Sequence, residues 1–168
     1  MRLNSKLLAI VLFFVSLQGC KFYSFSGTSI HPDVKTFSVS FFENRANIVS
    51  PLLSQTFTEG LKQKFTTETN LSILNNGGDF DFSGSITNFI ITPVSAQSTD
   101  NAQLNRLSIT VQVKLVSAKD PKSEFEQSFT NFQDFDANTN FSSIESRLVQ
   151  EISDMLVQQI FNKAAINW

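Results

Sequence analysis

From Leu107 to Leu115 the chain alternates without a fault: Leu107, Ile109, Val111, Val113 and Leu115 are aliphatic, and Ser108, Thr110, Gln112 and Lys114 between them are polar. A period of two puts the aliphatics on one side of an extended chain and the polar groups on the other, which a helix cannot do. The stretch predicts a strand with one face in a core and the other in a polar medium. Such a strand needs a second layer to cover its apolar side, so the fold is layered.

Other elements fall around it. Lys35 to Phe42 alternates with Phe37, Val39 and Phe41 on one face and Thr36, Ser38 and Ser40 on the other, a half-buried strand. Ser50 before Pro51 reads as an N-cap and first helical residue, and Leu53, Phe57, Leu61 and Phe65 recur every fourth position, predicting a helix over 51–67. Leu71 to Leu74 opens an extended segment, broken at Asn75-Asn76-Gly77-Gly78. Phe80, Phe82, Ile86 and Ile90 then continue with period two, whereas Phe89 and Ile91 fall on the opposite face, and this shift beside Gly84 predicts a bulge or a doubly covered strand end. After a loop over 93–105 and the strand above, Ala118-Lys119-Asp120-Pro121 turns the chain into a weaker strand over 124–132. In the final segment Ser142 and Glu145 have capping-box spacing, and Ile144, Leu148, Ile152, Met155 or Leu156, and Ile160 form one helical stripe. The expected fold is an α+β two-layer sandwich in the order β-α-β-β-β-α. Its sheet is mostly antiparallel or mixed, with about four strands and both helices on one face. The first strand, joined through a helix, is expected to lie parallel to a neighbour.

The N-terminus carries an address. Arg2 and Lys6 precede an apolar run from Leu7 to Leu17, which ends at Leu17-Gln18-Gly19-Cys20. The run is too short to span a bilayer, which needs roughly 20 helical residues. The pattern resembles a bacterial lipobox, with cleavage before Cys20 and covalent lipid on its thiol and freed amine; several acyl chains anchor stably where one does not. Residues 1–19 thus read as a lipoprotein signal peptide, 20–34 as a lipid-anchored leader and 35–168 as a single α+β domain. Losing Arg2 and Lys6 leaves 11 basic against 15 acidic residues, a formal charge of −4, which argues against a nucleic-acid partner. With Cys20 lipidated no thiol remains for a disulfide. Charged residues are only 17% of the chain against about 25% in typical domains, and Ser, Thr, Asn and Gln take their place. A neutral polar surface of this kind suits a domain enclosed by a partner with a polar wall, although compositional drift in an AT-rich genome is the plainer account of it.

Catalytic signals are sparse, and no catalytic residue, metal ligand or cofactor beyond the lipid on Cys20 is assigned. His31, the only histidine, stands before Pro32 as a solvated turn residue, with no second imidazole for a metal pair or triad. Asp79 and Asp81 flank Phe80 and share a strand face; a strand-edge pair that deters aggregation is the plainer reading than two catalytic carboxylates. Asp134, Asp136, Asn138 and Glu145 occupy positions one, three, five and twelve of a calcium loop, but Thr139 stands where such a loop needs glycine. Phosphate cradles and nucleophile elbows are missing: Asn76-Gly77-Gly78 has no following helix, and Phe82-Ser83-Gly84-Ser85-Ile86 has one glycine in register.

The run Cys20-Lys21-Phe22-Tyr23-Ser24-Phe25-Ser26-Gly27-Thr28-Ser29-Ile30, the strand ending Phe41-Phe42-Glu43-Asn44, and Phe82-Ser83-Gly84-Ser85-Ile86 together resemble the LptE family of lipopolysaccharide-assembly lipoproteins in its Bacteroidetes form. The resemblance extends over essentially the whole mature chain. It implies an outer-membrane lipoprotein that plugs the LptD β-barrel, assists its assembly and helps lipopolysaccharide reach the cell surface. Lipopolysaccharide is anionic, and charge and loop placement make Arg106, Lys119 and Lys122 the candidate contacts; no family motif marks them. The alternative is a periplasm-facing lipoprotein regulator of a cell-wall synthase, and an envelope-sugar enzyme using Asp79 or Asp81 ranks last. Lys21 after the acylated cysteine, in place of aspartate, favours the outer membrane, and a leader without an acidic cluster favours the periplasmic side.

Overall fold

The computed structural model describes residues 30–48, 50–94 and 103–166; the signal segment, Cys20 and most of the leader lie outside the described residues. The elements are β1 (Thr36–Val39), β2 (Glu43–Asn44), α1 (Pro51–Glu68), β3 (Ser72–Leu74), β4 (Phe80–Val94), β5 (Leu104–Val116), a 3-10 turn (Pro121–Ser123), β6 (Phe125–Asp136) and α2 (Phe141–Ala165). The α+β class and the helices are as expected. The sheet holds six strands in the order β3-β1-β4-β5-β6, with β2 also beside β4. It is mixed: β1 pairs in parallel with both β3 and β4, β2 is parallel to β4, and β4-β5-β6 is a long antiparallel meander.

Two strands beyond the expected four come from segments too short to show a period. Leu71 to Leu74 does not lead into the following strand; β3 lies on the far side of β1 from β4, and the Asn75–Gly78 turn carries the chain across. β2 continues the line of β1 along β4 after a break at Ser40-Phe41-Phe42. That break corrects the expected placement of Phe41: the strand ends before it, so Phe41 is 60% exposed and Phe42 is fully buried instead. The Phe42 amide donates to Thr58 Oγ1 at 3.1 Å and its ring meets Phe57 edge-on at 5.0 Å, fixing β2 against α1.

The anticipated bulge exists, but it lies between Ile86 and Asn88, where the β4–β5 register slips, and not at Gly84. One extra residue swaps the faces of everything beyond it. Phe89 therefore joins the core after Ile86, while Ile90, expected inward, points away and is 42% exposed. Gly84 has a different reason to be glycine. Its φ is +155°, and a Cβ there would lie 2.0 Å from the Gln112 carbonyl oxygen and 2.7 Å from the Phe42 ring.

One apolar cluster unites both helices with one sheet face. Phe65 of α1 is its hub, with ring centroids 4.8 Å from Phe82, 5.2 Å from Phe161 of α2 and 5.7 Å from Phe37. Rings at such spacings add about 0.5–1.5 kcal/mol per pair beyond the area they bury. In α2 the predicted stripe is the buried one, with Leu148, Ile152, Leu156 and Ile160 in the core and Ile144 and Met155 partly covered. The folded body also reaches back into the expected leader, since Val34 is buried and Ile30 packs against the cluster.

The cap of α2 differs from the capping-box expectation. Asn140 is the N-cap and its side chain accepts from the Ser142 amide at 3.0 Å. Glu145 faces the other helix, where it accepts from Ser50 Oγ at 2.8 Å. Ser50 is buried and makes no side-chain cap bond to its own helix, so this pair pins the start of α1 to the first turn of α2.

Candidate functional site

The helices cover one sheet face; on the other the Asn75–Gly78 crossing packs over β1, where Ser38 is buried, and the β4-β5-β6 meander is left uncovered. Cross-strand rows there read Ser85–Gln112–Ser128, Asn88–Thr110–Thr130, Ile90–Ser108–Phe132 and Thr92–Arg106–Asp134. Thr110 and Thr130 share a hydroxyl hydrogen bond at 2.9 Å, and the Ser128 hydroxyl donates to the Gln112 amide oxygen. The alternation that buries Leu107 to Leu115 is what lines up this hydroxyl and amide ladder. Its cations are each paired, Arg106 with Asp134 and Lys114 with Glu126 at 4.0 Å, while Asp81 and Asp136 on the same side accept from Ser38 Oγ and the Asn138 amide.

Arg106 is the most constrained cation of the face. Its Nε donates to Asp134 Oδ1 at 2.7 Å and its Nη2 to Oδ2 at 2.9 Å, and the guanidinium lies 3.7 Å from the centroid of Phe132. Two parallel charge-assisted bonds plus a ring beneath hold the fork in one orientation. The hydrogen bond from Arg106 holds the Asp134 carboxyl below the usual range, and the same bond raises the guanidinium. Phe132, 44% exposed, completes a small apolar step with Ile90 across Ser108.

Lys119 and Lys122 lie elsewhere. Both are exposed in the β5–β6 turn, which is built by the Ser117 amide donating to Glu124 at 3.1 Å and the Asp120 amide to Ser117 Oγ at 3.0 Å. Ten strand residues separate that turn from Arg106, roughly 34 Å at the rise of an antiparallel strand. The structure therefore places the candidate cations at opposite ends of the sheet and does not form one cluster from them. Cys20 lies outside the described residues.

Asp79 and Asp81 are structural clamps on the short parallel strand β1. One Asp79 oxygen accepts from the Lys35 amide at 2.9 Å and from the Thr36 amide and hydroxyl, each at 3.0 Å. These donors, the Lys35 amide foremost, pull its carboxyl below the usual range, with Lys119 a minor contributor. Asp81 accepts from Ser38 Oγ at 2.6 Å, and Ser38 in turn accepts from the Gly78 amide at 2.9 Å. With their oxygens engaged by β1, the two carboxylates hold the chain crossing in register.

The calcium-loop spacing is likewise taken apart by the fold. Asp134 is a strand residue bound to Arg106, Asp136 accepts from the Asn138 amide at 2.8 Å, and Glu145 serves Ser50. Among the described residues no three His, Cys, Asp or Glu side chains gather as a metal site. The Arg106–Phe132–Asp134 unit escaped sequence reading because β6 was expected to stop near Phe132. The recurrence Phe129, Asn131, Gln133, Phe135 on one face was the available signal that it runs on to Asp136.

Solved structures share this fold. They include the minor lipoprotein from Acinetobacter baumannii, 18% identical with a TM-score of 0.50, where the match covers 77% of this chain and 91% of that one. Protein CT253 from Chlamydia trachomatis is 12% identical with a TM-score of 0.56, covering 77% and 94%. Protein XCC0632 from Xanthomonas campestris is 11% identical with a TM-score of 0.52, covering 81% and 91%. No curated protein matches the chain by sequence. Among the described residues no helix is long and apolar enough to cross a membrane. Residues 34–164, nearly all of the folded body, match the family model described as LptE, lipopolysaccharide-assembly. The chain belongs to the LptE family of lipopolysaccharide-assembly proteins.

Proposed function

We propose that this protein is an outer-membrane lipoprotein, lipidated at Cys20, that plugs an LptD-type β-barrel, assists its assembly and serves the passage of lipopolysaccharide to the surface. Family membership supports the pathway, and the lipobox supports the anchor. The observation that carries the plug reading is the uncovered face of the meander, whose hydroxyls and amides form rows and whose cations Arg106 and Lys114 are each paired with a carboxylate. Barrel lumens are polar, so a face of neutral hydrogen-bonding groups can exchange water for wall contacts. Unpaired charges would oppose that transfer, because each must shed its hydration.

On this reading Arg106 is a lipopolysaccharide contact at one end of the sheet, and Lys119 and Lys122 are contacts at the other. Asp134 takes two of the five donors of the guanidinium, and those that remain suit a phosphate oxygen. Depletion in the native host tests the function: the expected result is misassembled barrel and less lipopolysaccharide at the surface. Normal levels of both would overturn the reading, and co-purification of a peptidoglycan synthase without a barrel would support the regulator instead. An Arg106→Ala, Lys119→Ala, Lys122→Ala variant that binds lipopolysaccharide as tightly as the parent would remove these residues from the site. Protease treatment of intact cells should leave the protein whole if it faces the periplasm.

A further inference from the structure

Among the described residues the cations fall into two sets. Arg45, Lys62, Lys64, Arg106, Lys114 and Arg147 each lie within 4.0 Å of a carboxylate. Lys35, Lys119, Lys122 and Lys163 are exposed and have no ion pair. The fold brings these four to one end. Lys35 leads into β1 where Phe37 meets Phe80, the first residue of β4; Asp81 beside it meets Val116, the last residue of β5, so the β5–β6 turn with Lys119 and Lys122 lies there too. The two helices run side by side in the same direction, since Ser50 bonds Glu145 where they start and Phe65 packs on Phe161 near their ends. The chain leaving α1 returns to β1, with the Ser72 amide donating to the Lys35 carbonyl at 2.9 Å, so Lys163 in the last turn of α2 joins the group.

Carboxylates at this end are turned back into the fold. Asp79 accepts from the Lys35 amide and from Thr36, Asp120 from the Ser123 hydroxyl, and Glu124 from the Ser117 amide, while Asp33 stays exposed beside His31. Each lysine, by contrast, can extend its ammonium outward on a flexible four-carbon stem. The same end receives the chain from the N-terminal segment: Ile30 and His31 stand beside Thr69 and Leu71, just past the end of α1. Cys20 is ten residues before Ile30, at most about 35 Å of chain. For a lipid on Cys20 to lie at the Arg106 end, that chain would have to run fully extended along roughly 34 Å of β5. The reach of the segment therefore favours a lipid at the lysine end.

We propose that this end docks on the phosphates of an anionic phospholipid leaflet, the leaflet that holds the anchor, through Lys35, Lys119, Lys122 and Lys163. Each lysine near an anionic surface strengthens adsorption by about fivefold, and the attraction falls off within a Debye length of about 8–10 Å. A domain held in this way directs its Arg106 end away from the leaflet. The inference rests on reading Cys20 as the lipid anchor, and adds which end of the domain meets the membrane. Lipopolysaccharide also offers phosphates to Lys119 and Lys122, but Lys35 and Lys163, which the fold sets at the same end, and the point where the chain enters both favour the leaflet.

The test uses the full chain with its native lipid, reconstituted in vesicles of phosphatidylethanolamine and phosphatidylglycerol, beside vesicles of phosphatidylcholine. A water-soluble amine-acetylating reagent is added, and the rate at each lysine is read by mass spectrometry relative to that of Lys62 on α1, whose ammonium is paired with Glu59. All four lysines should react about tenfold more slowly in the anionic vesicles than in the neutral ones, and about 1 M salt should erase the difference. The mass of the peptide that carries Cys20 reports the lipid. An unmodified thiol overturns the anchor reading and this inference with it. Lipid present with equal relative rates in the two kinds of vesicle, or slowing that appears only when lipopolysaccharide is added, would overturn the inference and leave the anchor standing.

Discussion

Gly84→Ala should be among the most damaging single-methyl changes in this protein. The new Cβ would stand 2.0 Å from the Gln112 carbonyl oxygen, an atom of the central strand β5, and 2.7 Å from the Phe42 ring. Neither neighbour can yield cheaply, because Gln112 is held in the ladder and Phe42 is fully buried against Phe57. The backbone adds to the cost, since φ of +155° is open to glycine and strained for alanine. Strain of that kind is worth about 1–3 kcal/mol, and forced overpacking about 1–3 kcal/mol. Together they give about 2–6 kcal/mol, a large part of the roughly 5–15 kcal/mol of a typical domain. At about 4 °C per kcal/mol for a domain of this size, thermal melts followed by circular dichroism should move down by roughly 8–24 °C. Gly60→Ala is the internal control. Its Cβ meets only Val157 Cγ2 at an ordinary 3.6 Å, and the helical site should gain about 0.5–1 kcal/mol. A Gly84→Ala protein that melts within about 2 °C of the parent would refute the argument from close strand approach.

Phe65→Ala removes the ring shared by both helices and the sheet and should cost about 3–5 kcal/mol by urea unfolding, with the midpoint lowered and cooperativity retained. Asp79 is held below its ordinary value of about 3.9 by hydrogen bonds present only in the fold. Its contribution is therefore complete above the unfolded value and lost as pH falls through the lower folded one. Asp79→Asn should be less stable than the parent at neutral pH, with the gap narrowing below about pH 4 in melts taken across the acid range. Ser50→Ala should cost about 1 kcal/mol by deleting the hydrogen bond between the helix starts, and Glu145→Ala added to it should cost less than on the parent background.

Strong periodicity made much of the architecture legible before any coordinates. Leu107 to Leu115 is a strand buried on one side, and the every-fourth apolar spacing of Leu53, Phe57, Leu61 and Phe65 is the buried stripe of α1. What stayed hidden depended on partners distant in sequence. β2 and β3 are too short to carry a period and exist because β4 and β1 offer them edges. The inward turn of Phe42 instead of Phe41, and of Phe89 instead of Ile90, follows from a strand break and a bulge, each of which shifts the alternation by one residue. Ser142 and Glu145 have the spacing of a capping box, yet Asn140 caps the helix and Glu145 turns to Ser50, a residue 95 positions away. At the candidate site, Arg106 was visible as a cation, but its clamp by Asp134 and its stacking on Phe132 required the β5–β6 register. Lys119 and Lys122 were near neighbours of the same strand in sequence and prove to be at its far end.

The position of β1 between β3 and β4 sets an order of events for the folding chain. Phe37 cannot find its partners Ile73 and Phe80 until the chain beyond α1 has emerged, whereas β4, β5 and β6 can zip through adjacent turns. Loop closure over that distance is slow relative to hairpin formation. A chain that emerges amino end first thus carries its leading strand uncommitted for longest, while the carboxyl half gains structure. Pulse-labelled amide exchange during refolding should find the β5 amides protected before those of Phe37 and Ser38.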